Sequence, residues 1–426
     1  MSRLDELIQE LCPNGVEYKT VSSISKNITS GGTPKTGVAE YYNGDIPWLR
    51  TQEVNFDDIT DTGVKITQLG VDNSSAKWIP ENCVIVAMYG ATVGKVAINK
   101  IPMTTNQACC NIELDKEKAL YRYVFHCLCN QYQYIKSLGQ GSQTNINAQI
   151  VKKLTIPVPP LEVQSEIVRI LDNFTELTAE LTAELTARKK QYEYYRDKLL
   201  SFNVLNCASV GNSLNNIVVM PLGEEDMNKL KELIQKLCSN GVEYKTIKET
   251  VGLNRGKRLT KSELLEESNT EFKYAVYHGS KDTPLGFYNN FNAPKGTTIV
   301  VNTGGIGGVK YIGENFWCSD GSFWLGKTNN INEKYLYYCL SGYEDYFSSK
   351  KRIGGVPTID KSIVENFSIP VPPLEVQEEI VRILDKFTTL ATSISEGLPK
   401  EIELRRKQYE YYRNQLLSFP DNKATA

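Results

Sequence analysis

The feature that most restricts the fold of this 426-residue chain is an internal duplication. Three stretches of the first half return in the second half with few changes. The pairs are LIQELCPNGVEYKT (7–20) and LIQKLCSNGVEYKT (233–246), IPVPPLEVQSEIVRILDNFT (156–175) and IPVPPLEVQEEIVRILDKFT (369–388), and RKKQYEYYRDKLLSF (188–202) and RRKQYEYYRNQLLSF (405–419). The regions between these stretches have diverged. The repeated stretches predict a pseudo-twofold symmetric framework, and the two diverged regions predict inserts that each recognise a different target.

The composition is that of a globular protein, with 41% hydrophobic and 23% charged residues, which excludes disorder throughout. No apolar run reaches the roughly eighteen residues that a membrane helix needs. The N-terminus has no signal-peptide core and predicts a short amphipathic helix, so we expect a cytoplasmic protein without membrane association.

The net charge of −2 does not by itself suggest a nucleic-acid partner. A DNA-binding function would require local basic clusters or a partner that supplies positive charge. The ten cysteines form no CxxC pair, and the chain has only two histidines. We therefore expect buried hydrophobic cysteines and no metal site.

The two near-identical connecting segments predict long helices. Residues 161–202 contain no Pro or Gly and are rich in helix formers, which predicts one helix of about forty residues. In the second copy, Gly397 and Pro399 predict a helix near 374–395, a break, and a helix near 400–418. Apolar residues recur every three or four positions, so we expect the copies to pair as an antiparallel coiled coil.

The diverged halves predict α+β domains. KWIPENCVIVAMYGATVGKVAI and TIVVNTGGIGGVKYI each read as two strands joined by a Gly-rich turn, with Gly90 and Gly94 matching Gly304 and Gly308. KEKALYRYVFHCLCNQYQYIKSL and NEKYLYYCLSGYEDYF each predict a helix after this hairpin.

Two glycine-containing stretches allow more than one interpretation. GSFWLGKT (321–328) satisfies the P-loop pattern, but Phe323, Trp324 and Leu325 are too bulky for a phosphate cradle, and the duplicate QACCNIEL reads as a strand. TGGIGG (303–308) is a tight hairpin turn, a phosphate cradle, or a turn that lets the backbone approach a DNA phosphate.

Recognisable catalytic motifs are missing from the sequence, whereas polar and basic clusters occur at equivalent places in both halves. Their residue types reach base edges and phosphates, although each cluster alone is also typical of a solvated loop. The candidate DNA contacts are Thr33, Lys35, Arg50, Tyr89, Thr92, Lys95, Gln143, Thr144, Asn145, Arg255, Lys257, Arg258, Lys281, Asn302, Lys350, Lys351 and Arg352.

Over essentially its whole length the chain resembles the specificity subunit of a type I restriction–modification enzyme. The resemblance rests on the duplicated IPVPPLEVQSEIVRILDNFTEL and RKKQYEYYRDKLLSF segments and on GGTPKTGVAEYYNGDIPWLRTQEV in the first half. In the second half it rests on YAVYHGSKDTPLGFYNNFNAPKGTTIVV and ENFWCSDGSFWL.

The resemblance implies two target-recognition domains, each reading one half of a split site in double-stranded DNA. We expect the domains to be 1–155 and 230–368, with a central helical spacer (156–202), a linker (203–229) and a distal helical region (369–420). It also implies a non-catalytic chain that docks two modification (methyltransferase) subunits and the restriction subunits, which translocate and cut DNA using ATP. S-adenosylmethionine, ATP and Mg would then bind those partners. The alternative function is a coiled-coil scaffold that binds proteins without DNA specificity.

The central helix contains the repeat TELTAELTAELTA (175–187), whose residues Leu177, Leu181 and Leu185 recur every four positions on one drifting face. One four-residue unit adds about one turn and roughly 6 Å. We therefore expect this segment to set the gap between the two DNA half-sites.

Overall fold

The computed structural model describes residues 2–139, 145–202, 224–352, 356–392 and 397–422. The chain divides into two compact units. Unit 1 consists of Met1–Thr182 and Glu401–Ala426, and unit 2 of Ala183–Lys400. Each unit therefore combines one diverged region with the start of its own connecting helix and the end of the connecting helix from the other copy.

Unit 1 contains a five-stranded sheet (order β2-β10-β7-β8-β4), a four-stranded sheet (β5-β3-β9-β6) and the pair β1-β11. Its strands are β1 Tyr18–Thr20, β2 Ser25–Ser30, β3 Tyr42–Leu49, β4 Asp58–Ile59, β5 Lys65–Ile66, β6 Trp78–Ile79, β7 Val84–Ala87, β8 Val96–Asn99, β9 Met103–Thr105, β10 Cys109–Leu114 and β11 Thr155–Pro157. The helices of this region are α1 Arg3–Leu11, α2 Gln68–Asp72, α3 Tyr121–Asn130, α4 Tyr132–Ser137 and α5 Ala148–Lys153, with 3-10 turns at Val21–Ile24, Ala39–Tyr41, Thr51–Glu53 and Gly90–Thr92.

Unit 2 contains a four-stranded sheet (β13-β19-β16-β17), a three-stranded sheet (β15-β14-β18) and the pair β12-β20. Its strands are β12 Tyr244–Thr246, β13 Leu253–Arg255, β14 Tyr274–Tyr277, β15 Gly286–Tyr288, β16 Thr297–Val301, β17 Val309–Ile312, β18 Trp317–Cys318, β19 Ser322–Leu325 and β20 Ser368–Pro370. The helices are α7 Glu224–Leu237, α8 Ile247–Thr250, α9 Glu333–Ser341, α10 Glu344–Ser349, α11 Lys361–Glu365 and α12 Leu374–Thr392, with a 3-10 turn at Lys261–Glu263.

The predicted long helix is confirmed as α6, Leu161–Ser201, which begins directly after Pro159 and Pro160. The second copy is broken as predicted, into α12 and α13 (Leu398–Leu416), with Gly397 immediately before the second helix. The short N-terminal helix is also confirmed, since Ser2 and Asp5 form a capping box at the start of α1.

The single helix predicted after each hairpin is wrong in one respect, because each is divided into two short helices. The first copy gives α3 and α4, which are separated at Gln131, and the second gives α9 and α10, which are separated at Gly342 and Tyr343. Gly342, a weak helix former, caps α9, and Gln131 caps both α3 and α4.

Equivalent aromatic contacts join the connecting helices to each unit. In unit 1, Phe174 of α6 stacks on Tyr412 of α13 with ring centroids 5.2 Å apart. In unit 2, Phe387 of α12 stacks on Tyr195 of α6 at 5.3 Å. These contacts support the predicted pairing of the two helices, while an antiparallel coiled coil along their full length stays a prediction.

The nine cysteines in the described residues are buried free thiols, as predicted. Burial raises the pKa of Cys110 to about 12, so that the thiol stays protonated near neutral pH. Within the described ranges, no helix combines the length and apolar character needed to cross a membrane.

Candidate functional site

Five segments of unit 1 meet at one edge of its sheets. Strands β3 and β9 are parallel, with Leu49 opposite Thr105, so both strands end at the same edge. Backbone hydrogen bonds then tie the loops together: Asn106 N donates to Leu49 O (2.9 Å), Gly32 N to Thr105 O (2.9 Å), Met88 N to Ala108 O (2.8 Å) and Ile146 N to Met88 O (3.0 Å). We call residues 31–35, 49–55, 88–95, 106–108 and 145–146 the loop face of unit 1.

Unit 2 repeats this construction bond for bond. Strands β14 and β18 are parallel, with Tyr277 opposite Cys318. The corresponding bonds are Ser319 N to Tyr277 O (2.9 Å), Lys257 N to Cys318 O (2.9 Å), Asn302 N to Gly321 O (3.0 Å) and Ile359 N to Asn302 O (3.0 Å). We call residues 256–258, 277–281, 302–308, 319–321 and 356–359 the loop face of unit 2.

The turns at the centre of both faces are the predicted Gly-rich hairpins. Gly94 N donates to Ala87 O (2.8 Å), and Gly307 N donates to Val301 O (2.9 Å), both from glycines with positive φ. Gly94 is therefore equivalent to Gly307, and the sequence match to Gly308 is wrong by one residue, because the second turn is one residue shorter. Positive φ explains why glycine occupies these positions.

The structure brings most of the candidate residues of unit 1 together on its loop face. The Thr33 hydroxyl bonds Gln107, the Thr92 hydroxyl donates to Thr51 O (2.7 Å), Lys95 Nζ donates to Asn55 (2.6 Å), and Gly90 N donates to Asn145 (3.4 Å). Arg50 pairs with Glu53 at 3.4 Å. Lys35 is exposed, and Tyr89 is 39% exposed. Gln143 and Thr144 lie outside the described residues.

In unit 2, Arg255 ends strand β13 at the edge that Lys257 and Arg258 continue, and all three side chains are exposed. Two further candidates lie in ion pairs: Lys281 with Glu344 at 2.6 Å, and Arg352 with Asp360. Lys350 and Lys351 are exposed at the end of α10, and the Lys350 ammonium lies 5.3 Å from the Tyr346 ring centroid.

Asn302 does not belong with the other candidates. Its side chain is only 5% exposed and it takes the position of buried Met88 in unit 1, where its backbone joins two loops. Its Oδ1 has no hydrogen-bond partner among the described atoms. The backbone of Asn302 thus holds the hairpin, and a contact of its buried side chain with DNA stays a prediction.

The P-loop interpretation of GSFWLGKT is also not supported. Residues 322–325 form strand β19, and the duplicate forms strand β10, as the sequence predicted. Lys327 donates to Lys295 O (2.7 Å) and pairs with Glu333 (3.0 Å) instead of facing an anion cradle. Across the described part of the chain, no group of His, Cys, Asp and Glu side chains could hold a metal ion.

In each unit, a polar network joins the helices. In unit 1, His126 of α3 lies 2.8 Å from Asp172 of α6 and 3.1 Å from the Tyr409 hydroxyl of α13. Burial raises the pKa of Asp172, but hydrogen bonds from His126 and Arg122 outweigh it, so this pKa lies below its ordinary value. In unit 2, Tyr338 takes the place of His126 and donates to Asp385 at 2.5 Å.

Comparison with known proteins identifies the family. The family model of the type I restriction modification DNA specificity domain matches residues 13–188 and 239–404. The chain belongs to the type I restriction–modification specificity subunits. This specificity subunit is 38% identical over 321 residues to the EcoR124I/EcoR124II specificity subunit of Escherichia coli, covering 72% of each chain. It is 28% identical over 422 residues to the EcoprrI specificity subunit of Escherichia coli, covering 93% of each.

Solved structures show the same fold. The S subunit from M. genitalium has a TM-score of 0.56 at 19% identity, covering 95% of this chain and 97% of that one. A second structure, described as the basis of complex assembly and conformational transition of the type I R-M system, has a TM-score of 0.55 at 18% identity, covering 96% and 98%.

Proposed function

We propose that this specificity subunit reads a bipartite, asymmetric sequence in double-stranded DNA, with one half-site for each loop face. The observation that carries the proposal is that the two faces share one set of backbone hydrogen bonds but differ in their side chains. The same scaffold with different donors and acceptors suits two different sets of base edges.

Exposed lysines and arginines of the two faces, among them Lys35, Lys257 and Arg258, contact phosphates in this proposal and position the duplex. The polar side chains nearer the sheet edges read bases. With a net charge of −2 on the whole chain, these local clusters supply the attraction together with positive charge on the partner subunits.

The chain acts without catalysing a reaction and docks two methyltransferase subunits and the restriction subunits. S-adenosylmethionine, ATP and Mg bind those partners. One observation supports this division of labour: Lys327 of the P-loop-like stretch donates to Lys295 O and pairs with Glu333.

Methylome sequencing tests the function directly. A host that expresses this chain with its methyltransferase partner should gain methylation at a two-part motif with a fixed gap, and deleting the gene should remove it. Exchanging residues 21–155 for another first half should change one part of the motif and preserve the other. A continuous motif, or methylation that persists without the gene, would contradict the proposal.

A further inference from the structure

The position directly after the first parallel strand is equivalent in the two units, although the sequences there cannot be aligned. Arg50 follows Leu49 of β3 in unit 1, and His278 follows Tyr277 of β14 in unit 2. Leu49 O accepts from Asn106 N, and Tyr277 O accepts from Ser319 N, both at 2.9 Å. The register therefore makes Arg50 and His278 structural counterparts.

The loop after the second parallel strand supplies an equivalent pair of residues in each unit. Asn106 and Gln107 follow β9, while Ser319 and Asp320 follow β18. In unit 1, the exposed Gln107 accepts a hydrogen bond from Thr33. In unit 2, Asp320 Oδ1 accepts from the Ser319 hydroxyl (3.1 Å) and lies 3.3 Å from His278 Nδ1.

The hydrogen bonds of His278 define what it offers to a ligand. The backbone N–H of Gly321 and the Ser319 hydroxyl each lie 3.2 Å from Nδ1. In the neutral tautomer in which Nδ1 accepts from Gly321, the ring carries its proton on Nε2. Among the described residues, neither His278 Nε2 nor Asp320 Oδ2 has a hydrogen-bond partner. The two side chains are 38% and 32% exposed. In that tautomer, Nε2 is available as a donor and Oδ2 as an acceptor on the loop face of unit 2.

We propose that two pairs of residues, Arg50 with Gln107 and His278 with Asp320, determine which bases each unit reads. This inference rests on the proposed function. His278 donates to an acceptor on a base edge, and Asp320 accepts from the neighbouring amino group. That arrangement fits the N7 and N6 atoms of adenine, or guanine O6 beside cytosine N4.

The chemistry of the first pair is different. Arg50 offers only donors, which suit the O6 and N7 atoms of guanine, and Gln107 offers both an acceptor and donors. Because the end of a sheet strand fixes the backbone of Arg50 and of His278, these side chains start from rigid positions rather than from mobile loops.

Asp320→Asn tests the second pair, because it keeps the shape of the side chain and replaces one acceptor oxygen by a donor. We expect the preference at one base pair of one half-site to fall by about ten- to hundredfold, with the other half-site unchanged. Gln107→Glu should change only the opposite half-site. The matched control is Glu314→Gln, an exposed carboxylate beyond the far end of β17, which should preserve both.

The measurement is the methylation rate of the complex with its methyltransferase partner on duplexes carrying every single-base change of the wild-type motif. Thermal unfolding of each variant complex is followed in parallel. If Asp320→Asn unfolds, His278→Gln and Gln107→Glu decide the question.

A wild-type complex that methylates no bipartite motif would defeat the proposed function itself. A bipartite wild-type motif whose base preferences stay within twofold in the folded variants would overturn only the residue pairs. A folded Asp320→Asn variant that lowers the base preference equally at all positions of both half-sites would also overturn the residue pairs.

Discussion

His126 Nε2 lies 2.8 Å from Asp172 Oδ1, and the imidazole is completely buried in unit 1. Since Nδ1 contacts the Tyr409 hydroxyl, the neutral ring donates to Asp172 through Nε2 and accepts from Tyr409 through Nδ1. One side chain thereby links α3 to both connecting helices.

This buried histidine makes unit 1 sensitive to pH. Burial lowers the pKa of His126 despite the opposing effect of Asp172, so the folded unit keeps it neutral where the unfolded chain already binds a proton. Its contribution to stability is therefore complete above the unfolded pKa of about 6.5 and is lost as the pH falls below it. We expect hydrogen exchange of α3, corrected for intrinsic rates, to accelerate between pH 7 and pH 5.

Unit 2 provides the internal control, because Tyr338 replaces His126 there. Hydrogen exchange of α9 should accelerate less between pH 7 and pH 5. In the His126→Tyr variant, most of the acceleration in α3 should disappear. Equal acceleration of α3 and α9 in the wild-type protein would contradict the assignment to His126.

A buried glutamine amide holds the start of α6. Gln164 is fully buried, accepts from Leu120 N (2.9 Å), and donates to Lys118 O (3.1 Å) and Pro159 O (2.8 Å). Gln164→Leu leaves these backbone groups unpaired, at a cost of about 1–3 kcal/mol for each buried group. Denaturant unfolding should show unit 1 destabilised by at least about 2 kcal/mol.

Gln149→Leu, at an exposed position of α5, is the matched control and should shift stability by no more than about 0.5 kcal/mol. Equal effects of the two substitutions would show that the three hydrogen bonds of Gln164 contribute nothing measurable to stability.

The repeat in α6 should act as a spacer of defined length. The helix continues through 175–187, and the hydroxyls of Thr178 and Thr182 donate to the carbonyls of Phe174 and Thr178. Leu177 is 44% exposed, while Leu181 and Leu185 are half-buried. Deleting 178–181 removes about 6 Å, which should shorten the gap in the methylated motif by one to two base pairs, at roughly 3.4 Å each.

Both half-sites should survive that deletion, and Thr182→Ala, which keeps the helix length, should keep the gap. A deletion variant that methylates the original gap length would show that the helix does not set the spacing.

An exposed lysine of the loop face should contribute affinity without specificity. Lys35→Ala removes one candidate phosphate contact, so we expect weaker DNA binding at every sequence and a reduction of about one in the slope of log K against log salt. Lys116→Ala, an exposed site beyond the far end of β10, should leave the slope unchanged. Fluorescence anisotropy across a salt series measures both, and a changed base preference in Lys35→Ala would contradict a phosphate contact.

The connecting helices were predictable from sequence because they depend on local rules. The absence of Pro and Gly from 161–201, and the Gly397–Pro399 break in the second copy, gave the correct helices. The hairpins were also predictable, since Gly90 and Gly304 mark turns that require positive φ.

The loop faces were only partly predictable, because they depend on contacts distant in sequence. His278 and Asp320 were not predicted, because the two parallel strands of each unit are offset differently between the copies. Arg50 corresponds to His278, 228 positions later, whereas Gln107 corresponds to Asp320, 213 positions later. A signal was present in the strand ends, but parallel pairing of β14 with β18 cannot be read from short strands alone. The burial of Asn302 was not predictable either, because its residue type suits base contacts while its position is that of buried Met88.

The stacked pairs Phe174–Tyr412 and Tyr195–Phe387 have a consequence for how such genes evolve. Each unit contains the end of one connecting helix, and the sequences of these two helix ends, 188–202 and 405–419, are nearly the same. Either helix end therefore presents the same tyrosine to the phenylalanine that it stacks on. Recombination between the repeated coding stretches can therefore replace one diverged region by a foreign one without designing a new interface. The duplication therefore lets one diverged region be exchanged for another while both aromatic stacks keep their partners.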